Sequence, residues 1–368
     1  MDSRERTFIA LEHKEPDRVP IDCWVSGGTK RKIETLMNLS YPEFLDRYDV
    51  DLRYIEGPQY IGPDLESSGE FETDIWGIPR KRQKVSVSDR SGNYCEEYKE
   101  VIESPLKKLR TIDEINKYPH WPSPDWFDYS VIESQCDEIR NRGRVVVFIG
   151  DRLNRLAQLK PAMYVRGVEE IFLDMAMNPE MAGAIFNKIS SFYLEYERRI
   201  LKAAKGKIDI LCTGDDFGAQ DNLMISPAMW KEFLEEGFRD YIKLGHFYDT
   251  KIMHHSCGSV YKIMPAMIRC GLDIVQSVQP EADGMDLAVL KREFGNQISF
   301  QGGISIQKIL PFGSKKEVAV HVRTTLEKMK PNGGYIASTS HNIQADTSIE
   351  NIQTLFEAYH AYGAYSAA

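Results

Sequence analysis

The stretch KIMHHSCGSV, residues 251–260, holds two histidines and a cysteine among apolar and β-branched residues, with a glycine directly behind the cysteine. Read as a strand, it sets His255 and Cys257 on one side and His254 on the other, because successive side chains alternate between faces. Seven other short runs share its makeup: RVPIDCW (18–24), DLRYIE (51–56), RVVVFIG (144–150), IDILCTGDD (208–216), DIVQSVQ (273–279), QISFQGG (297–303) and GYIASTS (334–340). Each is rich in Val, Ile or aromatic residues and bounded by Gly, Pro, Asn or Asp, as strands are.

Helical patterns lie between the runs. Residues 179–204 open on Asn-Pro and residues 226–247 on Ser-Pro, and both carry apolar groups at helical spacing. Shorter helices are predicted over 259–270, 285–294, 314–329 and 349–361. Eight strands alternating with helices predict an α/β fold, a (β/α)8 TIM barrel, in one domain over residues 1–368. A doubly wound open sheet is the rival, but no glycine-rich nucleotide loop follows the first strand. Residues 57–143 are too long for one helix and its loops. They contain FETDIWGIPRKRQKVSVSDRSGNYCEEYKEVI (71–102) and then YPHWPSPDWF (118–127). The alternation and turns of the first segment predict a small β-rich insertion after the second strand, a lid over part of the barrel mouth.

Composition narrows the partners. Apolar residues make up 42% and charged residues 27%, with a net charge of −9. An acidic chain is not drawn to nucleic acid or to an anionic membrane. No run of about 18 apolar residues occurs, so no membrane span is expected. The opening MDSRERTFIALEHKEPDRVP lacks an apolar core of signal-peptide length. The six cysteines follow no framework spacing, which suits reduced thiols in a cytoplasm.

Barrel enzymes place their chemistry at the C-terminal strand ends. There stand Asp215 and Asp216, His255 and Cys257, Gln279, Gln301, and Ser340 with His341. Such a polar set is costly to bury without partners, so it is expected to line a ligand site. A His-x-Cys pair on one strand face can share a zinc ion, although the same pair also occurs as plain core. Cys270, about 18 Å along the following helix, is a poor third ligand. His341 is on the correct face, with a backbone-bonded loop histidine as the ordinary alternative. His254, on the helix side, reads as a structural histidine. Parity lets only one of Asp215 and Asp216 face the mouth, as substrate binder or general base, while the other caps the helix that follows. Gln279, Gln301 and Trp76 are the substrate-binding candidates, Trp76 having a hydrophobic anchor as its ordinary reading. The basic cluster RKRQK (80–84) reads as a solvated face.

RERTFIALEHKEPDRVPID (4–22), GDDFGAQDNLMISPAMWKEF (214–233), KIMHHSCGSVYKIMPAMIRCGLDIVQSVQPEADGMD (251–286), ISFQGGI (298–304) and SHNIQADTSIENI (340–352) together resemble the uroporphyrinogen decarboxylase superfamily. The resemblance runs from near residue 3 to about 361 and implies a (β/α)8 barrel. One branch decarboxylates a polycarboxylated tetrapyrrole without metal or cofactor and carries an arginine-rich segment near the N-terminus. The corresponding region here, DCWVSGGTKRKIE (22–34), lacks it. The other branch comprises zinc-dependent methyltransferases linked to a corrinoid, with His-x-Cys on strand five and a cysteine near the end of strand eight. His255 and Cys257 match, and His341 stands where that cysteine would be. A His/Cys/His set is less electron-rich than one with two thiolates, and suits a Lewis acid acting on a leaving oxygen or nitrogen.

The resemblance therefore implies a zinc-dependent methyltransferase acting on a methylated small molecule or a thiol. The corrinoid would sit on a separate protein, since the chain shows no Asp-x-His-x-x-Gly signature of its own. Members of the family often pair, so a homodimer is expected. The alternatives are a decarboxylase using Asp215 or Asp216, and a non-catalytic barrel that presents tetrapyrrole or corrinoid.

Overall fold

The computed structural model describes residues 1–89, 92–150 and 155–365. Seven strands make one parallel sheet: Leu52–Ile55, Val145–Phe148, Ile210–Gly214, Lys251–His255, Ile274–Val278, Ser299–Ile304 and Tyr335–Thr339. Their order in space is their order in sequence. Parallel neighbours need a crossover, and helices supply most of it.

The longest helix, Pro179–Ala204, starts with proline at its first position, where the missing N–H costs nothing. Met181, Ile185, Ile189, Phe192, Tyr196 and Ile200 form its buried stripe. It stops at Lys205, whose φ of 51° leaves the helical region. The pattern over 226–247 yields two helices, Pro227–Phe233 and Glu235–Phe247, parted at Leu234, whose carbonyl also accepts from Gln158 Nε2. Among the described residues eight helices had no counterpart in the sequence reading: Ser3–Leu11, Gly27–Met37, Tyr41–Arg47, Ile112–Asn116, Ile132–Arg140, Leu159–Arg166, Val168–Met177 and Ile309–Phe312.

The run 18–24, expected as a full strand, has only isolated bridges, Arg18 to Ala364 and Ile21 to Ala337, with Val25 to Ile343 just beyond it. Pro20 has no N–H to give a ladder, and the Ile21 N–H goes to the Asp51 carboxylate at 2.7 Å. The segment nonetheless joins the two outer strands of the sheet. Ala337 donates to Pro20 O and accepts from Asp22 N, while Asp51 N donates to Ile21 O. Arg6 and Arg18 pair with the buried Asp51 and hold this seam.

Leu52, Val145, Val147, Ile210, Met253, Ile274 and Ile336 pack into one apolar cluster that also takes Leu11 from the first helix. These residues alternate along their strands with others that face the helices, the period-two pattern that fills a curled sheet's interior. A far larger cluster lies between sheet and helices.

Between Gly57 and Gly143, Gln59–Tyr60 pairs antiparallel with Phe127–Asp128. Ser67–Ser68, Phe71–Thr73, Pro79–Asp89 and Gly92–Val101 form a four-stranded antiparallel sheet. The hairpin of the last two reaches across to the loops beyond residues 25 and 340. Its Glu96 accepts from Ser26 Oγ, from Gly28 N and from Ala345 N. Among the described residues no helix is long and apolar enough to cross a membrane.

Candidate metal centre

The strand Lys251–His255 ends with His255 buried at 3% exposure. Two residues on, Cys257 Sγ lies 3.6 Å from His255 Nε2. His341, just past Tyr335–Thr339, completes a trio whose donor atoms all lie within 4.8 Å of one another. Three residues from two distant parts of the chain thus converge on one point.

The surroundings orient the trio. His255 Nδ1–H donates to Gln276 Oε1 at 3.0 Å, which leaves the Nε2 lone pair facing Cys257 and His341. A carbonyl-type partner on the far nitrogen is what metal-binding histidines commonly have. Trp24 walls the trio, with ring centroids 5.6 Å from His255 and 5.1 Å from His341. Burial, above all, holds the His255 imidazole well below its ordinary value, so it is neutral and able to ligate. Burial, followed by the charge of Asp216, pushes the Cys257 thiol up to about 12. A thiol so placed gives up its proton only to a cation brought next to it.

Bond lengths of about 2.0–2.3 Å for nitrogen and sulfur on zinc put tetrahedral donors roughly 3.3–3.8 Å apart. The 3.6 Å between Sγ and Nε2 falls in that range. Two neutral imidazoles, one soft sulfur and an oriented second nitrogen fit a zinc ion.

The two adjacent aspartates do different work. Asp215 is 2% exposed and accepts from the N–H groups of Gln158, Leu159 and Lys160, capping the helix Leu159–Arg166. The capped helix precedes it in sequence, whereas the expectation was a cap on the one that follows. Asp216 turns to the trio: its Oδ1 accepts from Cys257 N at 3.0 Å and lies 3.6 Å from His255 Nε2. Its Oδ2 pairs with Lys160 Nζ. Burial opposes its charge, but the Lys160 ammonium and the Cys257 N–H outweigh burial and hold the carboxyl well below its usual range.

The remaining candidates lie around or apart from the trio. Gln279 bonds Gly258 N at 2.9 Å and Ser340 O at 3.4 Å, tying the Cys257 loop to the His341 loop. Gln301 donates to Asp22 Oδ2 at 2.6 Å, and Tyr54 OH donates to the same oxygen. Both glutamines are buried and engaged by the protein itself. Trp76, at 2% exposure, packs against Trp121, Phe192 and Tyr193, which is the hydrophobic-anchor arrangement. His254 stacks on Phe217, with Nδ1 2.7 Å from Thr213 Oγ1.

Sequence reasoning missed Trp24, Arg155, Lys160 and Gln276. Trp24 closes a run already read as a strand, and the strand-end rule could have found it. Gln276 is in register with His255 and lies inside a run already read as a strand. Arg155 and Lys160 lie in a connection without a motif, and no signal marked them.

Parallel strands in sequential order, with a three-donor centre at their C-terminal ends, define an α/β protein of barrel type. The sequence model described as Uroporphyrinogen decarboxylase (URO-D) matches residues 107–362, and the chain belongs to that family. No curated protein matches. Among solved structures, a methyltransferase from Methanosarcina mazei superposes with a TM-score of 0.68 at 14% identity. The match covers 98% of this chain and 99% of that one, and shows a common fold. Xylanase B from Clostridium stercorarium F9 gives a TM-score of 0.37 at 12% identity, over 58% of this chain and 72% of that one.

Proposed function

We propose that the protein is a zinc-dependent methyltransferase. It would move a methyl group between a small molecule and a corrinoid carried on a separate protein, within a (β/α)8 barrel whose eighth stave is the segment 18–25. The observation that carries this reading is the convergence of His255, Cys257 and His341, with Gln276 fixing the nitrogen that His255 presents. The whole-length likeness to a methyltransferase supports it.

His255, Cys257 and His341 would hold the zinc, which supplies Lewis acidity to the heteroatom bearing the methyl group. The protein's own groups prepare the place. Gln276 keeps the proton on His255 Nδ1. Asp216 fixes the Cys257 backbone and neutralises Lys160, and Gln279 joins the two ligand-bearing loops. Trp24 covers one side and keeps water from the donors.

The test is metal content of the purified protein beside His341→Ala, followed by methyl transfer to added cob(I)amide protein. About one zinc per chain, lost in the variant, is expected. No zinc after incubation with excess metal would end this reading and make decarboxylation the activity to assay.

A further inference from the structure

One cation beside the trio has no partner. Among the described residues Arg155 makes no hydrogen bond or ion pair, and its Nε is buried and unsatisfied. The guanidinium lies over the Trp24 ring, 5.6 Å from the centroid. Its stem rests on Gly214, the residue paired in register with His255. A Cβ at Gly214 would come within 2.4 Å of Arg155 Cδ and 3.4 Å of His255 Cβ, so glycine is what lets the stem pass so close to the trio.

Arg155, Lys160, Tyr164 and Gly214 enclose a space of about 30 Å³. Of the two cations lining it, Lys160 is taken by Asp216. Arg155 alone is left to meet an incoming charge. An enclosed charge without a partner is costly to keep, and clefts that keep one do so for a ligand. Its planar fork matches the two oxygens of a carboxylate. The space has room for one or two water-sized groups, hence for one carboxylate.

We propose that Arg155 binds the carboxylate of the methyl-bearing substrate, and that the substrates are small monocarboxylic acids carrying an O- or S-methyl group. The methyl part rests on the methyltransferase reading, whereas the carboxylate contact does not. Trp24, its ring within 5.6 Å of the guanidinium and of both imidazoles, sets the spacing: the acid end sits at Arg155 and the methylated heteroatom reaches toward the trio.

The test is calorimetric titration of the full chain, with and without one equivalent of zinc. The probes are methoxyacetate and (methylthio)acetate, each against its primary amide. The acids should bind about tenfold or more tightly than the amides, the margin of a charge-assisted pair. Arg155→Gln should bring that ratio close to one with amide affinity unchanged, and Arg155→Lys should keep part of it. A ratio near one in the parent protein, or one that survives Arg155→Gln, overturns the proposal. An acid preference that follows Arg155 in a chain unable to hold zinc would keep the carboxylate site and remove the methyltransferase reading. Zinc binding with no acid preference would do the reverse.

Discussion

Gln276 Oε1 accepts the Nδ1–H of His255 at 3.0 Å, and the two residues are cross-strand partners on neighbouring strands. The amide oxygen takes the proton-bearing Nδ1 and leaves the Nε2 lone pair toward Cys257 and His341. Losing such a partner commonly weakens metal binding about 10–100-fold. Gln276→Leu should lower zinc affinity by that factor in a chelator competition, with an unchanged far-ultraviolet dichroism spectrum. Equal affinity would show that His255 needs no orienting partner.

Asp215 gives the fold a pH dependence of unusual sign. Burial pushes its carboxyl up to about 6, against the pull of the N–H groups of Lys160, Gln158 and Leu159. The folded chain therefore binds the proton more tightly than the unfolded one. This contribution is complete below the ordinary carboxyl value and is lost as pH rises through about 6, a change of about 3 kcal/mol. Melting temperatures measured from about pH 4 to 7 should carry this decline, and Asp215→Asn should remove it. An identical slope in the variant would assign the decline to another group.

Lys32 is wholly buried under the hairpin. Its Nζ pairs with Asp89, donates to Ala345 O and Thr347 O, and lies 4.0 Å from the Tyr94 ring centroid. Removing one member of a buried ion pair costs about 3–5 kcal/mol. Lys32→Met should lower the melting temperature accordingly and open the hairpin to trypsin. The loop released is the one that carries His341, so zinc affinity should fall too. A stable variant with full zinc affinity would separate the hairpin from the centre.

Gly258 follows Cys257 at φ +75°, and a Cβ there would come within 2.4 Å of Ala219 O. The left-handed conformation alone costs a side chain about 1–2 kcal/mol. Gly258→Ala should destabilise the chain by more than that and displace Cys257, seen as faster zinc loss to chelator. Unchanged release would place the strain elsewhere.

How much of this was legible in sequence depended on the kind of signal. The strand Lys251–His255 and the helix Pro179–Ala204 stand where apolar spacing put them, because burial on one face writes a period into the chain. The run 18–24 carries the same composition, yet Pro20 and the Asp51 carboxylate take away the ladder bonds, and composition is blind to both. For Asp215 and Asp216 parity said that they differ but not which one turns to the centre. That choice is made by the N–H groups of Gln158, Leu159 and Lys160, more than fifty residues away in sequence. Arg155 was invisible for a related reason: a cation is recognisable as a binding group only once its lack of a partner is known.

The seam at residues 20–22 has a consequence for how the molecule comes into being. Ile21 and Ala337 are bridged, so the two outer strands of the sheet are joined through contacts spanning nearly the whole sequence. Closing so long a loop is slow, because chain entropy opposes it before any contact rewards it. During synthesis the segment 20–22 must wait with the side that Ala337 later fills still open, a bare edge able to pair with a neighbouring chain. His341 arrives only after that wait, just past the strand Tyr335–Thr339. The centre thus forms late, and a bound ion would report that the seam has closed.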